Sequence, residues 1–281
     1  MIGQLRDKCR RLLQDGAVQV VIGYGGASTP DGMPHPIFVR RPDDVDKLVW
    51  NDRCMSNLTT YLTRDAVKAL GKPAIVVKGC DARALVVLEQ ECQIDRSAMH
   101  VIGMACAGVG SPRAPKCASC DVHVPALADE VIGEAPETTG PADSPYSELE
   151  EFLKKSTVER FAYWREETAR CIRCYACREV CPTCYCRRCI VDKNRPTCIE
   201  TSATVKANFA WHVTRAFHQA GRCTGCGECT RACPVGINMR LLNQSLARAA
   251  EEHFSYRAGT DRETPPIIGA YGLEDKESFI R

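Results

Sequence analysis

Residues 171–182 are CIRCYACREVCP, and residues 223–234 are CTGCGECTRACP. Both runs follow one spacing, C-x2-C-x2-C-x3-C-P. Three thiols placed two residues apart let one short coiled loop point three sulfurs to the same side. The fourth cysteine lies one turn further along and points away, and the proline after it stops that turn from continuing as a helix. The repeat therefore predicts two similar loops, in which the fourth cysteine of each can join the three thiols of the other.

This spacing is that of bacterial ferredoxins, in which two such runs hold two [4Fe–4S] clusters and each fourth cysteine binds the other cluster. We therefore predict two ligand sets. The cluster-one set consists of Cys171, Cys174, Cys177 and Cys233. The cluster-two set consists of Cys223, Cys226, Cys229 and Cys181. A zinc site or a disulfide knot is the alternative, but two complete four-cysteine runs favour iron–sulfur clusters.

The composition disfavours several other classes of protein. The 281 residues carry a formal net charge of +2, which gives no electrostatic footprint for nucleic acid. No apolar run approaches the roughly 20 residues of a membrane span, and the N-terminus has no signal-peptide pattern. The 19 cysteines, without an export signal, indicate metal binding rather than disulfides. We expect a reducing, anaerobic cytoplasm and clusters that are sensitive to oxygen.

The first 134 residues are predicted to form an α/β module with a mostly parallel sheet. A strand, a helix and a second strand over 74–104 imply a right-handed crossover and parallel pairing. Residues 23–26, Gly-Tyr-Gly-Gly, are expected to form a flexible loop rather than a phosphate cradle. Patterns of apolar residues and turn signals predict strands at 17–22, 37–39, 74–77 and 101–104, and helices at 2–14, 56–70 and 82–92.

Four cysteines of this module form a third group. Cys80 and Cys106 follow neighbouring predicted strands, at the sheet edge where ligands bind in open α/β sheets. Cys117 and Cys120 come soon after, so the N-terminal set of Cys80, Cys106, Cys117 and Cys120 is a candidate for a third [4Fe–4S] cluster. The alternative is two buried thiols beside an unrelated C-x2-C pair, which could bind zinc. The remaining cysteines of this module are expected to be small core residues: Cys9, Cys54 and Cys92.

These residues resemble a known family. Residues 116–133, KCASCDVHVPALADEVIG, are similar to the C-x-x-C-x-D…A-D…G signature of beta subunits of coenzyme F420 hydrogenases and dehydrogenases. The resemblance covers about residues 2–133 and includes the turns Gly79-Cys80-Asp81 and Gly103–Cys106. It implies that the N-terminal set holds a [4Fe–4S] cluster near a flavin.

The flavin site departs from the family pattern. Relatives that bind FAD carry a Gly-Gly-x-x-Thr turn before their first helix, and here the helix is predicted to begin at Ile2. The turn after Lys78-Gly79 has Cys-Asp-Ala-Arg where relatives have Pro-Cys-Gln. FAD is therefore disfavoured. Without flavin, no group is evident for hydride transfer, and the chain would carry single electrons between partners.

A second, mainly helical module of dicluster ferredoxin type is predicted at 148–256, after a linker at 135–147 and before an extended tail at 257–281. A helix over 201–219 is expected to bury Val205, Phe209, His212, Val213 and Phe217, with neither His212 nor His218 acting as a ligand. Four further thiols could hold another iron–sulfur centre or a tetrahedral zinc ion, replace a ligand, or simply pack beside the clusters: Cys184, Cys186, Cys189 and Cys198.

The sequence thus predicts an iron–sulfur electron-transfer subunit of an anaerobic redox complex, such as a hydrogenase, a formate dehydrogenase or a heterodisulfide-reductase-like assembly. Other subunits of that complex are the expected partners. No catalytic residue is evident, because no nucleophile has a credible local base. One alternative is an FAD-containing subunit that reduces or oxidises F420 or a nicotinamide. The other is a zinc-binding interaction protein without redox activity.

Overall fold

A five-stranded mixed sheet organises the N-terminal half. The computed structural model describes residues 1–27, 29, 32–125, 127–134, 144–193, 195–269 and 273. The strands lie in the order β2-β1-β3-β4-β5, with β1 and β2 antiparallel and the other pairs parallel. Their bounds are β1 Val20–Gly25, β2 His35–Val39, β3 Pro73–Val77, β4 His100–Met104 and β5 Glu130–Ile132. The predicted α/β module with a mostly parallel sheet is confirmed, although β1 extends through most of the predicted 23–26 loop.

The helices of this half are α1 Ile2–Gln14, α2 Asp65–Lys68, α3 Gly79–Gln90 and α4 Pro115–Ala118. Helix α1 buries Leu5, Cys9 and Leu12, as its spacing predicts. The predicted helix over 56–70 is wrong. Asn57 instead caps a 3-10 turn at Leu58–Tyr61 by accepting from Thr59 N at 3.1 Å, and Arg64 has an extended backbone before α2. Threonines in this segment disfavour one continuous helix, because β-branching restricts their side chains.

Two of the three cysteines expected in the core are there. Cys9 and Cys54 are fully buried. Cys92 is exposed, with a φ of 56° just after α3, so the prediction for this residue is wrong. Cys92 lies in the turn after α3, so its side chain does not pack against the sheet.

The C-terminal half is helical. Its helices are α5 Ser147–Leu153, α6 Thr157–Ala169, α7 Ala176–Glu179, α8 Val205–His218, α9 Glu228–Arg231 and α10 Met239–Phe254. Helix α8 starts later than predicted because the Thr204 side chain accepts from Ala207 N and caps it. None of the helices among the residues described is long and apolar enough to cross a membrane.

The segment after α10 returns to the N-terminal half. Tyr256 and Ala258 are buried against Val87 of α3, and the Arg83 guanidinium donates to Ala258 O at 2.7 Å. The two halves are therefore in direct contact along α3. Much of the predicted linker, at 135–143, and of the predicted tail, at 270–272 and 274–281, lies outside the described residues.

Candidate iron–sulfur centres

The cluster-one set surrounds one small cavity. All four of its cysteines line this cluster-one cavity, three from the first run and Cys233 from the second. The other walls are largely apolar and include Trp211, Ile237 and Met239. The structure thus brings together the four thiols that spacing assigned to one cluster.

The cluster-two set surrounds a second cavity. Cys223, Cys226 and Cys229 of the second run line this cluster-two cavity together with Cys181 of the first. Each cavity therefore receives three thiols from one run and a fourth from the other. This is the crossed arrangement that the two spacings predict.

The backbone explains why three sulfurs of each run converge. In the first run, Arg173 and Tyr175 have φ values of 54° and 60°. In the second, Gly225 and Gly227 occupy the same positions with φ values of 71° and 72°. These left-handed residues coil each loop tightly before the short helices α7 and α9 begin. The coil also turns Arg173 N towards Cys171 Sγ, at 3.4 Å.

A buried arginine lies between the two sets. Arg215 is 3% exposed, and its Nη2 donates to Cys177 O at 3.0 Å and to Cys184 Sγ at 3.6 Å. Although burial opposes its charge, the neighbouring Cys184, Cys181 and Cys177 raise the pKa of Arg215. A fixed positive charge is thus held beside thiols of both sets. This residue could not be predicted from the sequence, because nothing local distinguishes it from a surface arginine on α8.

Burial raises the pKa of several thiols in the two ferredoxin-type sets. It raises the pKa of Cys229 to about 12, and burial followed by the Glu228 charge raises the pKa of Cys226 well above its ordinary value. Metal binding deprotonates such thiols, because the ion supplies the positive charge that the interior lacks. The donor set therefore fits iron, which binds cysteine as thiolate.

The N-terminal set lines a third cavity. Cys80 lies in the first turn of α3, directly after β3, and Cys106 follows the adjacent parallel strand β4. Both face the N-terminal cavity with Cys117 and Cys120. Gly79 allows the close approach of the next segment, since a Cβ there would overlap Val122 O. The sheet edge thus brings together the four thiols that strand order indicated.

The N-terminal and cluster-two cavities adjoin each other, because Cys223 lines both. Polar contacts join their walls. Arg240 Nη2 donates to Ser119 Oγ at 3.0 Å, within the C-x2-C pair, and Arg240 Nε donates to Gly225 O at 3.3 Å. Lys116 Nζ lies 3.8 Å from Glu228 Oε1 across the same boundary. These cross-links hold the two thiol sets next to each other.

None of the three cavities is lined by the four further thiols, Cys184, Cys186, Cys189 and Cys198. Cys184 is held against α8, where it accepts from Gln219 Nε2 at 3.3 Å, whereas Cys186 and Cys198 are exposed. Among the described residues, no three His, Cys, Asp or Glu side chains are arranged to hold a single metal ion. Ligands of a cube bind four separate irons and stand further apart than the ligands of one ion.

Comparison with known proteins supports this chemistry. Residues 218–237 match the 4Fe-4S binding domain family, which places at least one [4Fe–4S] cluster on the second run. The beta subunit of the F420-dependent formate dehydrogenase of Methanocaldococcus jannaschii is 30% identical over 121 residues, 42% of this chain and 31% of that relative. The beta subunit of the F420-dependent formate dehydrogenase 1 of Methanococcus maripaludis is 23% identical over 92% of this chain and 90% of its own.

The resemblance of residues 116–133 to the beta subunits of F420-dependent enzymes is therefore confirmed. The first of these matches spans about a third of its relative, whereas the second spans nearly the whole of both chains. The chain is thus a relative of the beta subunits of F420-dependent formate dehydrogenases that carries a 4Fe-4S binding domain.

Proposed function

We propose that this chain is an iron–sulfur electron-transfer subunit of an anaerobic multi-subunit oxidoreductase. One [4Fe–4S] cluster sits on each of the cluster-one, cluster-two and N-terminal sets. The observation that carries this proposal is the convergence of twelve cysteines, from five separate parts of the chain, on three cavities. When bound, each cube takes up and releases one electron without proton chemistry.

The surroundings of the cavities suit this role. Arg215 provides a buried positive charge between the cluster-one and cluster-two sets, and the Lys116–Glu228 pair bridges the cluster-two and N-terminal sets. Buried apolar side chains such as Trp211 and Met239 form part of the wall of the cluster-one cavity. Burial and charge of this kind set the reduction potential of a cube, so these residues would tune it.

The partners follow from the relatives. Because the similar proteins are named as beta subunits of formate dehydrogenases, we propose that this chain works beside the catalytic subunit of an oxidoreductase of that kind. The three cavities would carry electrons between that subunit and a second redox partner. The dicluster ferredoxin arrangement at 148–256 would hold two of the three cubes in this transfer.

Counting metal in anaerobically prepared protein tests the proposal. Three cubes correspond to about twelve irons and about twelve acid-labile sulfides per chain. Substituting Cys80→Ser is expected to remove about four irons, because its thiolate is one of the four ligands of a cube. Cys92→Ser is the matched control, since Cys92 is exposed and lines none of the three cavities.

Each result has a defined consequence. A content of about eight irons, unchanged in Cys80→Ser, would reject the N-terminal cube and keep the ferredoxin pair. Colourless protein without labile sulfide would reject the whole proposal. Flavin is quantified in the same sample, and about one FAD per chain with F420-dependent turnover would favour a flavin enzyme instead.

A further inference from the structure

Buried nitrogen atoms without a hydrogen-bond partner are concentrated at the cluster-one cavity. Among the described residues, seven buried side-chain nitrogen and oxygen atoms have no partner. Four of them are Arg173 Nη1, Trp211 Nε1 and both ring nitrogens of His212. All three side chains line the cluster-one cavity with its four cysteines.

Such atoms are unfavourable in an apolar interior. A buried polar group without a partner is less stable than one that is hydrogen-bonded, because it has lost its contacts with water and gained none in return. His212 is 3% exposed, so bulk water does not reach its ring. The neighbouring walls, including Val235, Ile237 and Met239, are aliphatic or thioether side chains that offer no strong acceptor. The acceptor that suits these nitrogens is an anionic group inside the cavity itself.

We propose that His212 donates an N–H hydrogen bond to a sulfur of the cube held by the cluster-one set, and that this bond raises the reduction potential of that cube. The inference rests on the proposed function, because it needs a cube in this cavity. Reduction adds negative charge to the cube, so a donor to its sulfur stabilises the reduced form more than the oxidised form. His212 would then be a donor that tunes the cube, not a ligand.

The ring is held in place for this role. His212 packs edge-on against Trp211, with ring centroids 4.9 Å apart and planes at 89°. Trp211 is itself packed against Tyr175 of the first run, at 5.6 Å, and under the Arg173 guanidinium. The neutral and the protonated imidazole both carry at least one N–H, so donation does not depend on the protonation state.

The cluster-two cavity lacks this feature. None of the described residues that line it has a buried side-chain atom without a partner. Gln219 donates to Cys184 Sγ and accepts from Thr183, and Arg240 donates to Glu148 and Ser119. The proposed donation is therefore specific to cluster one.

A potentiometric titration followed by electron paramagnetic resonance (EPR) tests the proposal in the anaerobic full-length chain. The signal lost in Cys174→Ser identifies cluster one. His212→Phe keeps a ring of similar size and removes both nitrogens. At a fixed solution potential, the reduced-to-oxidised ratio of cluster one should fall about tenfold, which equals about 59 mV for one electron. His212→Gln retains an N–H and should restore most of the potential, and His218→Phe, on the same helix, should change nothing.

Two results would overturn the inference. One is full iron content in His212→Phe with the potential of cluster one unchanged. If that variant fails to load iron, wild-type protein labelled with ¹⁵N-histidine decides the question by electron–nuclear double resonance. A weak nitrogen coupling to reduced cluster one is expected. No coupling, or the strong coupling of a direct ligand, would reject the proposal. If the chain does not hold the eight irons of the two ferredoxin-type cubes, the proposed function is rejected. That result differs from a loaded chain in which His212 has no effect, so the two failures can be told apart.

Discussion

The two ferredoxin-type loops have one backbone shape but different residues. Where the second run has Gly225 and Gly227 in the left-handed region, the first has Arg173 and Tyr175. A residue with a Cβ pays roughly 1–2 kcal/mol in that conformation, and glycine avoids this. The first loop is therefore the more strained of the two.

The side chains of the first loop explain why that strain is retained. Arg173 Nε donates to Asn208 Oδ1 at 2.8 Å, and its guanidinium lies over the Trp211 ring. Tyr175 packs edge-on against the same indole. Both residues thus build the wall that holds Trp211 and His212 at the cluster-one cavity. The second loop needs no such wall, because Lys116 and Arg240 from other parts of the chain approach Gly227 directly.

The two cavities therefore differ in how their polar neighbours are used. Around cluster one, buried donors remain available to a bound group. Around cluster two, the polar side chains are used to join the ferredoxin-like half to the sheet, as in the Arg240–Ser119 hydrogen bond. We expect substitutions near cluster one to change its potential, and substitutions near cluster two to change the contact between halves as well.

The largest effect is expected at Arg215, whose charge lies beside thiols of both the cluster-one and the cluster-two set. Arg215→Met keeps the length of the side chain but removes the charge and the bond to Cys177 O. Removing one member of a buried charged group costs about 3–5 kcal/mol, so the loaded chain should be destabilised by about that amount. The potentials of both cubes should fall, because the positive charge favours the reduced forms. Guanidinium unfolding under argon and EPR titration measure the two effects.

The control for this prediction is Arg248→Met. Arg248 pairs with Glu252 on the outer face of α10, and its side chain is 31% exposed. A surface substitution of this kind should stay within about 0.5 kcal/mol. If Arg215→Met shifted the potential of only one cube, the arginine charge would act on that cube alone. The prediction that it acts on both cubes would then be wrong.

An effect on cluster two but not on cluster one is expected at Glu228. This carboxylate is 2% exposed, contacts Arg231 and Lys116, and raises the pKa of the adjacent Cys226 thiol, after the effect of burial. Glu228→Gln removes the negative charge beside the cube, so its reduced form should become about tenfold more favourable, or about 59 mV for one electron. Cluster one should not respond.

Matched measurements sharpen this second prediction. Glu252→Gln, on the exposed face of α10, is the control and should leave both potentials unchanged. A shift in cluster one equal to that in cluster two would mean that the Glu228 charge acts over the whole ferredoxin-like half. In the double variant Glu228→Gln, His212→Phe, the potential of each cube should shift by the same amount as in the corresponding single variant, because each substitution acts on its own cube.

The grouping of the cysteines could be predicted from the sequence because it depends on local rules. The spacing of each run and the ends of adjacent parallel strands placed Cys181 with the second run and Cys80 with Cys106. Strand β5 was missed, since three residues are too short to show a pattern. The contacts between halves were missed because Ser119 and Arg240 are 121 residues apart, and no local signal joins them.

Helix α8 shows where a hydrophobic pattern fails. The sequence predicted a buried stripe that included Val205 and Phe217, but these two are 52% and 61% exposed. The face that is buried carries Trp211, His212 and Arg215. An apolar stripe predicts burial only when the buried face meets an apolar core. Here it meets the cluster cavities, which require donors and charge.

The smallest effect is expected from exchanging residues between the loops. Gly227→Ala has room for its methyl group, 3.4 Å from the nearest side-chain atom, so its cost is only the left-handed backbone, about 1 kcal/mol. Tyr175→Gly relieves the same strain but loses an aromatic contact of similar size, about 0.5–1.5 kcal/mol, and should change stability little. Unfolding of the loaded chain under argon measures both.

Gly3→Ala, in the first turn of α1 with nothing within 4 Å, is the control and should not destabilise the chain. If Tyr175→Gly stabilised the chain by a full 1 kcal/mol without changing cluster one, the tyrosine would not be needed to hold Trp211, and the difference between the loops would have no role at the cavity.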